Sequence, residues 1–85
     1  MAAEEILETR QAIYGDATES HARIAAVWTG ILNTPVNAHQ VALMMVGLKL
    51  VRADISPHHA DNLVDAAGYV EIARQIIEKQ TVSHE

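Results

Sequence analysis

Residues 49–69 read Lys-Leu-Val-Arg-Ala-Asp-Ile-Ser-Pro-His-His-Ala-Asp-Asn-Leu-Val-Asp-Ala-Ala-Gly-Tyr, and this stretch decides the architecture. Ser56-Pro57 divides it into two helical halves, because Pro lacks an N–H and fits a helix only in its first turn, where Ser is a good cap. In the second half Asp61, Asp65 and Tyr69 fall at i, i+4 and i+8. Helical geometry puts them on one stripe, which continues into Ile72 and Ile76. A carboxylate in line with core residues needs a partner, and Lys49 and Arg52, one turn apart on the preceding helix, can supply it. A polar site between two helices is the expectation.

Working towards the N-terminus, the helix that carries Lys49 and Arg52 is expected to start at Asn37, with Gln40 completing a capping box, and to run to about Asp54. Val41, Met44, Leu48, Val51 and Ile55 form its expected core stripe. Asn33-Thr34-Pro35 is a break. Before it, Asp16 and Glu19 read as a second capping box opening a helix to about Leu32, which should bury Ile24, Val27, Trp28 and Ile31. Residues 2–13 give a weaker stripe through Ile6, Leu7 and Ile13, stopped by Tyr14-Gly15. The last helix is expected to run from Ser56 to about Gln80, with residues 81–85 frayed. Gly68 lies inside it at a cost of roughly 1 kcal/mol relative to Ala, which points to a close approach of another helix or of a ligand.

Nothing alternates cleanly enough to be a strand, and the connections are short, so the expected fold is all-α: one domain, residues 1–85 with a core over 4–80, in a small antiparallel bundle of about four helices. The chain has 85 residues, of which 49% are hydrophobic, with one Trp, two Tyr and no Phe. Its core must be built from Ala, Val, Ile, Leu and Met. A domain of this size buries only roughly 60% of its unfolded surface, which favours association, and a homo-oligomer is expected through the small-residue faces Ala22, Ala25, Ala26 and Ala66, Ala67, Gly68.

Composition also excludes functions. The net charge is −5 and no Lys or Arg run occurs, which argues against a sequence-independent duplex nucleic-acid binder. The absence of cysteine removes disulfides, Cys-based zinc sites and thiol catalysis. No apolar run approaches the ~20 residues of a membrane span, and the first ten residues are acidic and helical rather than signal-like. A cytoplasmic location is expected. Glycine-rich phosphate loops and zinc-spaced histidines are missing from the sequence. Adjacent His58 and His59 point in different directions on a helix, which argues against joint chelation; His59 could donate to a phosphate. His21, beside Glu19 and Arg23, reads as a solvated face. Trp28 reads as core, with Tyr69 and Tyr14 as further rings on which a base could stack.

Tyr14-Gly15-Asp16, the stretch from His21 to Trp28, Lys49-Leu50-Val51-Arg52 and Asp61-Asn62-Leu63-Val64-Asp65-Ala66-Ala67-Gly68-Tyr69 together resemble a family of small, mostly phage-encoded all-α proteins of unassigned function. The likeness covers residues 13–74. More distantly, the chain looks like phage nucleotide-modification-associated domains and the all-α nucleoside triphosphate pyrophosphohydrolases of the MazG and dimeric dUTPase type. The resemblance implies nucleotide handling, with Lys49, Arg52, Asp61, Asp65 and Tyr69 as the matching positions. It also marks a departure. Those hydrolases carry Glu-x-x-Glu on one helix and Glu-x-x-Asp on another, which bind Mg²⁺. Here only Asp61 and Asp65, or Asn62 with Asp65, stand for the second set, and Glu19 with Asp16 for the first.

Two functions of different class follow. The first is a nucleotide-binding protein that holds its ligand intact, for example a nucleotide signal of host defence in the infected cell, and needs no cofactor. Tyr14, Lys49, Arg52, His59, Asp61, Asn62, Asp65 and Tyr69 would line its site. The second is a Mg²⁺-dependent pyrophosphohydrolase with Asp61, Asp65 and Glu19 on the metal and Lys49 stabilising the developing charge. A helical bundle with a purely structural or protein-interaction role is the third reading.

Overall fold

The computed structural model describes residues 16–83, with side chains described as far as residue 80. These residues form three helices and no strand: α1 (Ala17–Leu32), α2 (Ala38–Ile55) and α3 (Asp61–Ser83). The helix expected over residues 2–13 and the Tyr14-Gly15 stop lie outside the described residues. The described fold is all-α with three helices, where the sequence suggested about four.

Local chemistry sets each boundary. Asp16 is extended (φ −66°, ψ 124°) and its carboxylate accepts the Thr18 N–H at 2.9 Å, which caps α1. Glu19 does not return the bond expected of a capping box. The Asp16 carboxylate instead takes a second partner, Lys79 Nζ at 3.1 Å from the far end of α3. α1 ends at Asn33 in the left-handed region (φ 54°, ψ 37°), which Asn tolerates better than most residues. Thr29 then pins the loop, accepting the Val36 N–H at 2.9 Å and donating to the Val36 carbonyl at 3.2 Å. Asn37 opens α2 with the full reciprocal box: the Gln40 N–H donates to Asn37 Oδ1 at 2.8 Å and the Asn37 N–H to Gln40 Oε1 at 2.9 Å.

The α2–α3 corner departs from expectation. Ser56 ends α2 by donating its N–H to the Arg52 carbonyl at 2.9 Å, and the His59 N–H bonds back to the Ser56 carbonyl at 3.0 Å. Pro57 is therefore the second residue of a β-turn, where its fixed φ fits as well as in a first helical turn. α3 starts only at Asp61, and His58 and His59 sit in the exposed turn rather than on a helix. At the other end the helical backbone continues beyond Gln80 to Ser83.

α2 and α3 pack antiparallel and make the most extensive contact among the described helices. Ala42 meets Ile72, Ala73 and Ile76, with Ala17, Ala38 and Tyr69 against the same cluster. α1 lies across this hairpin, with its start tied to α3 through Asp16 and Lys79 and its end against α2 through Trp28, Leu32 and Met44.

The helix faces are the main correction. Of the expected α2 stripe only Val41 is buried; Met44, Leu48, Val51 and Ile55 are exposed. On α1, Ile24, Val27 and Ile31 are exposed and Trp28 is half-buried, while His21 and Ala25 are inside. The reason is steric. α2 is apolar on nearly all sides, and its inward positions are Ala38, Ala42, Met45, Lys49 and Ala53, whose small members let α3 approach closely. Of the small-residue faces assigned to association, Ala25, Ala66 and Gly68 are buried within the chain, while Ala22, Ala26 and Ala67 are exposed. Among the described residues no helix is long and apolar enough to cross a membrane.

Candidate functional site

The site is a polar seam along α3. Because the helix starts at Asp61, the inward stripe runs through Asn62, Asp65, Tyr69, Ile72 and Ile76. Asn62 is buried, Asp65 and Tyr69 are half-buried, and the two isoleucines belong to the core. Asp61, placed on this stripe by the i, i+4 spacing, is in the first turn instead. Its carboxylate points outward, 3.9 Å from His59 Nε2 and largely in solvent, where a negative charge complements the helix N-terminus.

Lys49 reaches the seam from α2. Its ammonium lies 2.9 Å from Asp65 Oδ2, with the two side chains only 14% and 23% exposed. This is the interhelical pair expected from the sequence. Arg52, its companion one turn on, is exposed and joins no ion pair among the described residues.

One turn along α3 from Asp65, the ring of Tyr69 faces His21 of α1, with ring centroids 6.0 Å apart and planes at 55°. His21 is 95% withdrawn from solvent (5% exposed). Its Nδ1 donates to the Ala17 carbonyl at 2.8 Å, which leaves Nε2 as a buried acceptor with no hydrogen-bond partner. Burial pushes the imidazole below its ordinary pKa of 6.5, against a smaller opposing pull from the Ala17 carbonyl, so the ring is neutral near pH 7. The sequence reading missed this residue by placing it on a solvated face. A signal was present: Ala17, His21, Ala25 and Trp28 share one helical stripe, and a histidine between alanines on a small-residue stripe faces a neighbouring helix.

The seam thus brings together Lys49, Asn62, Asp65, Tyr69 and His21. It leaves out Arg52, His59 and Asp61, which are exposed at the α2–α3 corner, and Glu19, which is exposed in the first turn of α1. Tyr14 lies outside the described residues. Trp28 lines a separate open hollow of about 250 Å³ with Ile31, Leu32 and Met44. At the far end of α3, Arg74 bridges Glu71 and Glu78 on an exposed face and holds the Glu71 carboxyl below the usual range.

Mg²⁺ requires several oxygen ligands in a tight octahedron. Among the described residues no three His, Cys, Asp or Glu side chains gather to hold a metal ion. Asp65 faces Lys49, Asp61 faces His59, and Glu19 is in solvent on α1. This set does not fit a metal within one chain.

Residues 1–77 match the model of a family described as a domain of unknown function, DUF6378. The chain belongs to the DUF6378 family. It is 40% identical over 79 residues to the gene 55 protein of Mycobacterium phage L5, an overlap covering 87% of this chain and 49% of that protein. It is 30% identical over 66 residues to the gene 55 protein of Mycobacterium phage D29, covering 78% of this chain and 44% of that one. This DUF6378 chain therefore spans about half the length of these relatives. The phage relationship read from the sequence stands. No solved structure gives a significant match to the chain. All five seam residues fall within the part that matches DUF6378.

Proposed function

We propose that the chain binds a nucleotide at the α2–α3 seam and returns it unaltered, as a phage protein that sequesters a nucleotide signal of host defence would. The observation that carries this reading is the juxtaposition of a largely buried Lys49–Asp65 pair with a buried, neutral histidine whose Nε2 has no donor. A buried acceptor without a partner is costly, by roughly 1–3 kcal/mol, and a ligand N–H or O–H would relieve that cost. Lys49 supplies a cation held in position, and exchange of Asp65 for a phosphate oxygen keeps its charge paired. Arg52 and His59, exposed at the α2–α3 corner outside the seam, would add donors to a ligand that extends that far. Asn62 and Asp65 match the donor and acceptor pattern of a base or ribose, and the Tyr69 ring offers a stacking surface. The net charge of −5 does not oppose this, because the charges beside the seam set its local field.

Incubation with mono-, di-, tri- and cyclic nucleotides, in Mg²⁺ or in chelator, tests the proposal through thermal shift and chromatography of the nucleotides afterwards. A ligand that raises the melting temperature in chelator and is recovered intact supports it. Mg²⁺-dependent release of a monophosphate would replace it with the MazG-like hydrolase reading, with metal ligands drawn from more than one chain. No response to any nucleotide would leave a helical interaction module.

A further inference from the structure

The outward arc of α2 is palindromic about a glycine. At helical spacing it carries Gln40, Leu43, Met44, Gly47, Leu50, Val51 and Asp54, so that Met44 and Leu50 lie three positions either side of Gly47, Leu43 and Val51 four, and Gln40 and Asp54 seven. No charge interrupts the arc between its ends. Leu43, Met44, Leu50 and Val51 are between 48% and 60% exposed, and Leu48 and Ile55 extend the patch along its edge. Around Gly47 nothing lies within 4 Å of where a Cβ would stand. The chain thus gives up helix propensity at mid-helix, and nothing among the described residues uses the space.

We infer that a second copy of this chain docks here, with two α2 helices antiparallel across a two-fold axis at Gly47. This does not rest on the nucleotide reading. In that register Gly47 meets Gly47 of the partner subunit and the backbones approach closely. Met44 meets Leu50 of the partner subunit, and Leu43 meets Val51 of the partner subunit. The Gln40 amide N–H reaches the carboxylate of Asp54 of the partner subunit, while Gln40 Oε1 keeps its capping bond to Asn37. Each facing pair joins two side chains of like or complementary character, which is the self-complementarity that an isologous interface requires. Beside Met44 an open hollow of about 430 Å³, bordered by Thr34, Pro35, Val36, Gln40 and Leu43, can receive an apolar side chain from the facing helix. Ile31 and Leu32, 74% and 56% exposed, adjoin Met44 and widen the apolar patch, and contiguous exposed apolar surface of this kind marks an interaction site.

Light scattering and sedimentation velocity on the full chain, with circular dichroism as a check of folding, test this. The wild type is expected to be a dimer and Gly47→Leu a folded monomer. A milder pair guards against misfolding: Gln40→Glu keeps the capping box but sets a carboxylate against Asp54 of the partner subunit, and should weaken the dimer roughly tenfold. Adding Asp54→Lys should restore it. A monomeric wild type would overturn the inference, as would a dimer unchanged by Gly47→Leu or by Gln40→Glu.

Discussion

Lys49 Nζ and Asp65 Oδ2 meet at 2.9 Å across the α2–α3 interface, one turn along α3 from Tyr69, whose ring faces the buried His21 imidazole. The pair fixes the register of the two longest helices and places the polar seam between them.

Breaking that pair from one side should cost more than removing it. Lys49→Met leaves Asp65 largely withdrawn from water without its cation and is expected to lower stability by about 2 kcal/mol, whereas Lys49→Met with Asp65→Leu should recover most of that loss. Urea unfolding of the two single variants and the double variant measures the coupling. Additive losses would show that the pair is not coupled.

His21 should make stability sensitive to mild acid. The folded ring has a pKa below 6.5, so beneath that pH the unfolded chain binds more protons, and stability falls as the pH drops. Above 6.5 the contribution is flat. Melting temperatures from pH 8 to pH 5 should therefore decline below 6.5 in the wild type and less steeply in His21→Gln. Parallel curves would assign the decline to other groups.

The inward face of α2 should reject bulk. Ala42 is fully buried against Ile72, Ala73 and Ile76, so Ala42→Leu is expected to destabilise by about 1–3 kcal/mol through overpacking. Ile76→Ala, at a site 1% exposed, should cost about 2–5 kcal/mol through the cavity it leaves. Chemical denaturation reads both changes, and a tolerated leucine at position 42 would contradict this packing.

Removal of the α2 cap has a predictable size. Asn37→Ala loses the bond from the Gln40 N–H and is expected to cost about 1 kcal/mol, while Gln40→Glu should leave the chain's folding stability nearly unchanged. The same unfolding assay, run at low protein concentration, separates them.

Much of the fold was legible because caps and breaks are local chemistry. Asp16, the Asn33 to Pro35 break and the Asn37–Gln40 box all mark boundaries that the structure keeps. The corner at Ser56 was misplaced by a physical ambiguity, since Ser-Pro suits a β-turn as well as a helix start, and local sequence does not separate the two. The Lys49–Asp65 pair was readable because a buried charge demands a partner. Face orientation was not, because a helix apolar on nearly all sides carries no direction: the stripe Met44, Leu48, Val51, Ile55 marks a surface that avoids water without saying which chain covers it. His21 was missed for a related reason. Its flanking Glu19 and Arg23 suggested solvent, but on a helix the neighbours that matter are Ala17 and Ala25.

The most direct measurement is an NMR titration of isotope-labelled protein with the nucleotide panel, following the His21 imidazole nitrogens and the amides of Asp65 and Tyr69. The account predicts that at least one nucleotide shifts these signals saturably in the absence of Mg²⁺, with His21 Nε2 moving as it gains a donor and with the response lost in Lys49→Met. Signals at the seam that stay fixed across the whole panel, or saturable shifts confined to another surface, would contradict it.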